Sequence, residues 1–110
     1  MKITVLSGSL VLASVAMANP AHNQIANLSE AERLKLFAKA LNSSGDSCPS
    51  AIRTFYQGGD KNGTAFWNIK CSNGKAYLIQ VSNNATGSTK VLDCEVLKRM
   101  NAGTCFKPFN

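Results

Sequence analysis

The sequence predicts an α+β fold: an N-terminal helix packed on a four-stranded antiparallel meander, then a short C-terminal helix, with two disulfides. Three observations carry this. The apolar period changes from a helical stripe over Leu34, Phe37, Ala38 and Leu41 to an alternation of two between Cys48 and Cys94. Turn signals recur through the alternating region as "GGDKNG", "SNG" and "NNATGS". Finally, the four cysteines Cys48, Cys71, Cys94 and Cys105 form an even set in a chain of 110 residues whose start reads as an export signal.

That start justifies the first boundary. Met1-Lys2 is a minimal positive region, "ITVLSGSLVLASVAMA" is an uncharged run of apolar and small residues, and Ala16-Met17-Ala18 is an A-x-A cleavage pattern. Residues 1–18 are expected to be a signal peptide, cut before Asn19, so the protein is expected in the periplasm or outside the cell. No lipobox cysteine lies near the cut, and the apolar run is too short and interrupted for a membrane anchor. Residues 19–27, "NPAHNQIAN", show no periodicity and read as a flexible lead-in. Residues 28–110 then form a single domain, small enough to need covalent staples.

The elements follow in order. Ser29 and Glu32 make an S-x-x-E capping box, Glu30 and Glu32 suit the positive end of a helix, and Gly45 after "NSS" stops it, giving a helix over 30–42. "AIRTFYQ", "TAFWNIKC", "KAYLIQVS" and "TKVLDC" are the four strands. Asp93 then caps a short helix, "CEVLKRMN", which Gly103 ends.

The central hairpin carries a choice of register. A two-residue Asn73-Gly74 turn would split the apolar side chains between both faces. A three-residue Ser72-Asn73-Gly74 loop, with Gly74 as a left-handed bulge, sets Tyr77 opposite Ile69 and Ile79 opposite Trp67. Trp67, Ile69, Cys71, Tyr77, Ile79 and Val81 then share one face, so the apolar pattern selects the bulged loop. The other face carries Phe66, Asn68, Lys70, Ala76, Leu78 and Gln80, too apolar for a wet surface and too polar for a second core. Either the C-terminal segment with Phe106 and Phe109 covers it, or Phe66, Asn68, Lys70, Leu78 and Gln80 form an interaction face.

Three cysteine pairings are possible. Cys48, Cys71 and Cys94 lie 23 residues apart, which returns the chain to one end of the sheet after each excursion. This arrangement favours Cys48–Cys71, flanking the first hairpin, and Cys94–Cys105, clasping the short helix.

Catalytic chemistry finds few residues to use. The one histidine, His22, falls in the lead-in, and of the six carboxylates Glu30, Glu32, Asp60, Asp93 and Glu95 have helix or turn roles, with Asp46 in a linker. No catalytic residue, cofactor or metal site is expected: no zinc spacing occurs, Gly58-Gly59 is not followed by a helix, and "DKNG" lacks the other acidic ligands of a calcium loop. Asn27, Asn42, Asn62 and Asn84 head glycosylation sequons, which matter only in a host that glycosylates them. The net charge of +6 favours anionic partners, yet its lysines and arginines are scattered. Nucleic acid is disfavoured because Trp67 and Tyr77, the natural stacking residues, belong to the core face.

Through "CPSAIRTFYQGGDKNGTAFWNIKCSNGKAYLIQV", "GSTKVLDCEVLK" and "CF", the chain resembles small uncharacterised exported four-cysteine proteins of Gram-negative bacteria. That family has no established activity, so the resemblance implies location and fold only. "CSNGKAYLIQV" alone is also similar to a hairpin of periplasmic lysozyme inhibitors. The expected function is therefore a non-catalytic binding module for an envelope protein or an anionic envelope polymer. The alternative is an inhibitor of a secreted hydrolase, a lysozyme or protease, acting through "GGDKNG" or "NNATGS".

Overall fold

The computed structural model describes residues 19–109; the expected signal peptide, 1–18, and Asn110 lie outside the described residues. Its first element corrects the sequence reading. The expected flexible lead-in is a helix, α1 (Pro20–Asn27), whose N-cap Asn19 accepts a hydrogen bond from the His22 amide and whose first residue is proline. Two turns of helix are marginal alone in water, and long-range contacts hold these two. The Asn19 Nδ2 donates to the carbonyls of Gly63 (2.8 Å) and Val81 (2.9 Å), and Ile25 is buried. At the other end Arg33 Nη1 donates to the carbonyls of Ile25, Ala26 and Leu28, placing a cation on the negative pole of the helix.

Helix α2 (Glu30–Ser43) has both halves of the capping box expected at Ser29 and Glu32. It buries Phe37 and Leu41 and half-buries Ala38 and Leu34, the stripe read from the sequence. Beyond it, β1 (Ala51–Gly59), β2 (Ala65–Cys71), β3 (Ala76–Val81) and β4 (Thr89–Asp93) form an antiparallel meander in the order β1-β2-β3-β4. Helix α3 (Cys94–Arg99) follows, with Asp93 Oδ1 accepting from the Glu95 and Val96 amides.

The bulged hairpin register is present. Ile69 pairs with Tyr77 and Trp67 with Ile79, the Gly74 amide donates to the Cys71 carbonyl, and Gly74 has φ +88°. Trp67, Ile69, Cys71, Tyr77, Ile79 and Val81 are all buried, with Ile25, Phe37 and Leu41 of the helices in the same core. The disulfides are Cys48–Cys71, inside that core, and Cys94–Cys105. In the chain-entropy view each adds roughly 3 kcal/mol.

His22 is part of the core margin. Its Nδ1 accepts from the Trp67 indole N–H at 3.0 Å, and its ring stacks on Tyr56 with centroids 4.5 Å apart. Burial holds its pKa below the ordinary histidine value. The Arg33 guanidinium lies 5.1 Å from the Trp67 ring centre, so the tryptophan is ringed by a cation, an acceptor and two aromatic neighbours, Phe37 and Tyr56.

Candidate functional site

The second face of the sheet is where the structure departs from a simple two-layer fold. Cross-strand register places Asn68, Leu78 and Leu92 in one row and Phe66, Gln80 and Lys90 in the next. The chain after α3 returns over these rows, turned back by Cys94–Cys105.

Amides hold this tail. The register of β1 against β2 slips between Tyr56 and Gly58, leaving Gln57 as the extra residue of a bulge. The bulge points Gln57 at the tail, where its Nε2 donates to the carbonyls of Thr104 (2.8 Å) and Lys107 (2.9 Å). Its Oε1 accepts from Asn68 Nδ2, and Asn68 Oδ1 accepts from the Phe106 amide at 2.6 Å. Asn68 is 0% exposed and Gln57 5%. Each amide nitrogen and oxygen of both therefore has at least one protein partner in place of water, which is the condition for burying an amide.

Aromatic contacts finish the cover. Phe109 meets Phe66 edge-on at 5.3 Å and donates its amide to the Gln57 carbonyl. Its ring fits because residue 58 is glycine: a Cβ there would lie 2.9 Å from Phe109 Cδ2. Phe106 holds a left-handed backbone, φ +62°, a conformation that costs a non-glycine residue of order 1–3 kcal/mol. The Asn68 hydrogen bond, the Phe55 ring at 6.3 Å and the Arg53 guanidinium at 4.5 Å oppose that cost.

Of the two readings of this face, cover by the C-terminal segment with Phe106 and Phe109 is the one present. Asn68 and Leu78 are buried, Phe66 is half-covered by Phe109, and the half-buried Lys70 donates to the Gly74 carbonyl. These residues do not form an open surface, because the tail lies on them. The cover is incomplete, however. Between tail, α3 and sheet a half-open cleft of about 400 Å³ remains, floored by Leu78, Leu92 and Gln80 and walled by Leu97 and Phe109. That volume is within the range of small-molecule sites. Among the described residues Lys107 is the one charged residue lining it, and the Gln80 side chain has no hydrogen-bond partner. A second hollow of about 460 Å³ lies beyond Thr104 and Cys105, where Lys70, Lys75 and Lys98 face Asp93 and Glu95. It is less selective in charge, since Lys75 and Asp93 already pair at 3.4 Å.

The groups with shifted acidity lie outside the apolar cleft. At Glu30 burial would raise the pKa, but hydrogen bonds from the Thr54 hydroxyl and amide and from Arg33 bring it below the usual value. Asp93 follows the same pattern, burial being outweighed by the amides of Glu95 and Val96 and by Lys75. Among the described residues no group of three or more His, Cys, Asp or Glu could hold a metal ion, and no helix is long and apolar enough to cross a membrane.

Sequence reasoning had Phe66, Leu78 and Gln80 on this face but missed Leu92, Leu97 and Lys107. Leu92 was legible as an alternating partner of Leu78. Leu97 and Lys107 reach the cleft only through the fold of the tail. Comparison with protein-family models, with curated proteins and with solved structures finds no match to this chain.

Proposed function

We infer that the protein is a small, exported, non-catalytic binding module of the cell envelope or extracellular space, and that it takes its ligand in the cleft beneath the tail. The carrying observation is the cleft itself: an apolar trough left open on a face where the amides of Gln57 and Asn68 tie down the tail beside it. Its leucine and phenylalanine lining is apolar surface left in contact with water, which a ligand covering it would remove. Two disulfides suit an oxidising compartment, in keeping with the leader-like start of the chain.

Affinity capture from envelope extract tests this. The intact protein is compared with Ala102→Trp, which puts a large side chain at the cleft wall. A ligand captured by the wild type and lost by the folded variant supports the cleft as the site; equal capture by both refutes it. The exported material should begin at Asn19 by intact mass, and a retained leader would refute cleavage before Asn19.

One observation favours the hydrolase-inhibitor alternative. The "GGDKNG" and "NNATGS" loops sit side by side, with Asn83 Nδ2 donating to the Asn62 carbonyl at 3.4 Å and Asn19 joining Gly63 to Val81. Inhibition of a lysozyme or protease that is abolished by Asn83→Arg, and not by Ala102→Trp, would select that reading.

A further inference from the structure

Resting on the cleft as the binding site, we propose that its ligand is an apolar monocarboxylate, a free fatty acid. The argument is one of matched polarity. Leu78, Leu92, Leu97 and Phe109 present hydrocarbon along the trough, and polar groups are few. The Gln57 amide is already engaged on both its atoms, leaving Gln80 as the side-chain amide with hydrogen-bonding capacity to offer. Lys107 lines the cleft, and Lys90 stands beside Gln80 in register on the same face. Among the described residues no carboxylate lines the cleft.

A ligand that buries one hydrocarbon body and presents one anionic end meets these groups without leaving any unpaired. A peptide would not: each of its backbone N–H and C=O groups would need a partner that this trough lacks. A polyanion would set repeated charges against leucine and phenylalanine. A two-chain lipid is too large for about 400 Å³. One chain ending in a carboxylate remains, its oxygens accepting from Lys107 and the Gln80 amide.

Calorimetric titration of the purified full protein with dodecanoate, dodecanol and dodecyltrimethylammonium, each below its micelle concentration, tests this. Dodecanoate should bind saturably, one per protein, and more tightly than the alcohol or the cation. Lys107→Glu should weaken dodecanoate by roughly three- to tenfold, the scale of an exposed charge effect, and leave dodecanol within about twofold. Methyl NMR on the wild type locates the site without relying on any variant: shifts should centre on Leu78, Leu92 and Leu97. Equal binding of all three ligands at those methyls would overturn the carboxylate assignment while leaving the cleft as a binding site. No saturable binding of dodecanoate, or shifts centred elsewhere, would overturn the inference. The capture experiment with Ala102→Trp then judges the binding reading separately.

Discussion

The two faces of one sheet are covered by different physics. On the face toward α1 and α2, the centre of the cover is hydrocarbon against hydrocarbon, with Trp67, Ile69, Tyr77, Ile79 and Val81 all buried. Hydrogen bonds from Asn19 and to His22 pin α1 at its margin. On the opposite face the cover is a chain segment without regular structure, held by the amides of Gln57 and Asn68 and by Cys94–Cys105. Apolar packing is non-directional and fills space. Amide hydrogen bonds are directional and fix a path without filling the space beside it. That difference is why the helical face is closed and the tail face keeps a cleft.

The comparison breaks first, and most severely, at Trp67. Trp67→Ala removes the centre of the closed face and leaves the His22 Nδ1 without its donor, so it should cost about 3–5 kcal/mol in urea denaturation. A loss under about 1 kcal/mol would mean that the helical face is not the main core.

Replacing Cys94 and Cys105 together by serine should cost less, at most about 3 kcal/mol, because it frees the tail while the sheet keeps its own staple. Amide exchange should quicken at Phe106 and Phe109 before it changes at Ile69 or Ile79. Uniform quickening would show that the two faces open as one unit.

Asn68→Ala sharpens the polar half of the comparison. It strips the Phe106 amide and the Gln57 Oε1 of their partner inside a covered layer, for an expected loss of about 1–3 kcal/mol. Phe66→Ser should also destabilise, since Phe109 packs on that ring. A Phe66→Ser variant as stable as wild type would show that the tail does not rest there.

The smallest effect is a pH dependence confined to the helical face. His22 binds its proton less readily in the folded chain than in the unfolded one, so the unfolded state holds more protons as pH falls. Stability contributed through His22 is complete above about pH 6.5 and declines as the pH falls toward the lowered folded-state value. Protonation would also set an N–H against the Trp67 N–H. Glu30, Glu32 and Asp93, all held below the usual carboxylate value, lose their contributions only at more acid pH. Melting points between pH 7.5 and 5 should therefore fall for the wild type and stay flat for His22→Phe; parallel curves would remove His22 from the account.

Much of this architecture is legible in the sequence because it depends on neighbours in sequence. The capping box at Ser29 and Glu32 spans one helical turn, and the Asp93 cap a shorter stretch. The hairpin register needs only the alternation on either side of Ser72-Asn73-Gly74, since a one-residue slip would divide the apolar set. The order of strands in a meander then brings the cysteines into the favoured pairs.

Other features have no local signature. Helix α1 is too short to form on propensity, and its sequence shows one buried apolar residue; Asn19 reaching Gly63 and Val81, and His22 reaching Trp67, make it. The bulge at Gln57 is likewise invisible until Thr104 and Lys107 are in place to receive its amide. Turns, caps and alternation were thus determined by the sequence itself, where the interacting groups lie within a few residues. The docking of α1, the course of the tail and the cleft beneath it were decided by the tertiary structure, because each depends on a hydrogen bond or ring contact between groups far apart in the chain, whose positions no local pattern specifies.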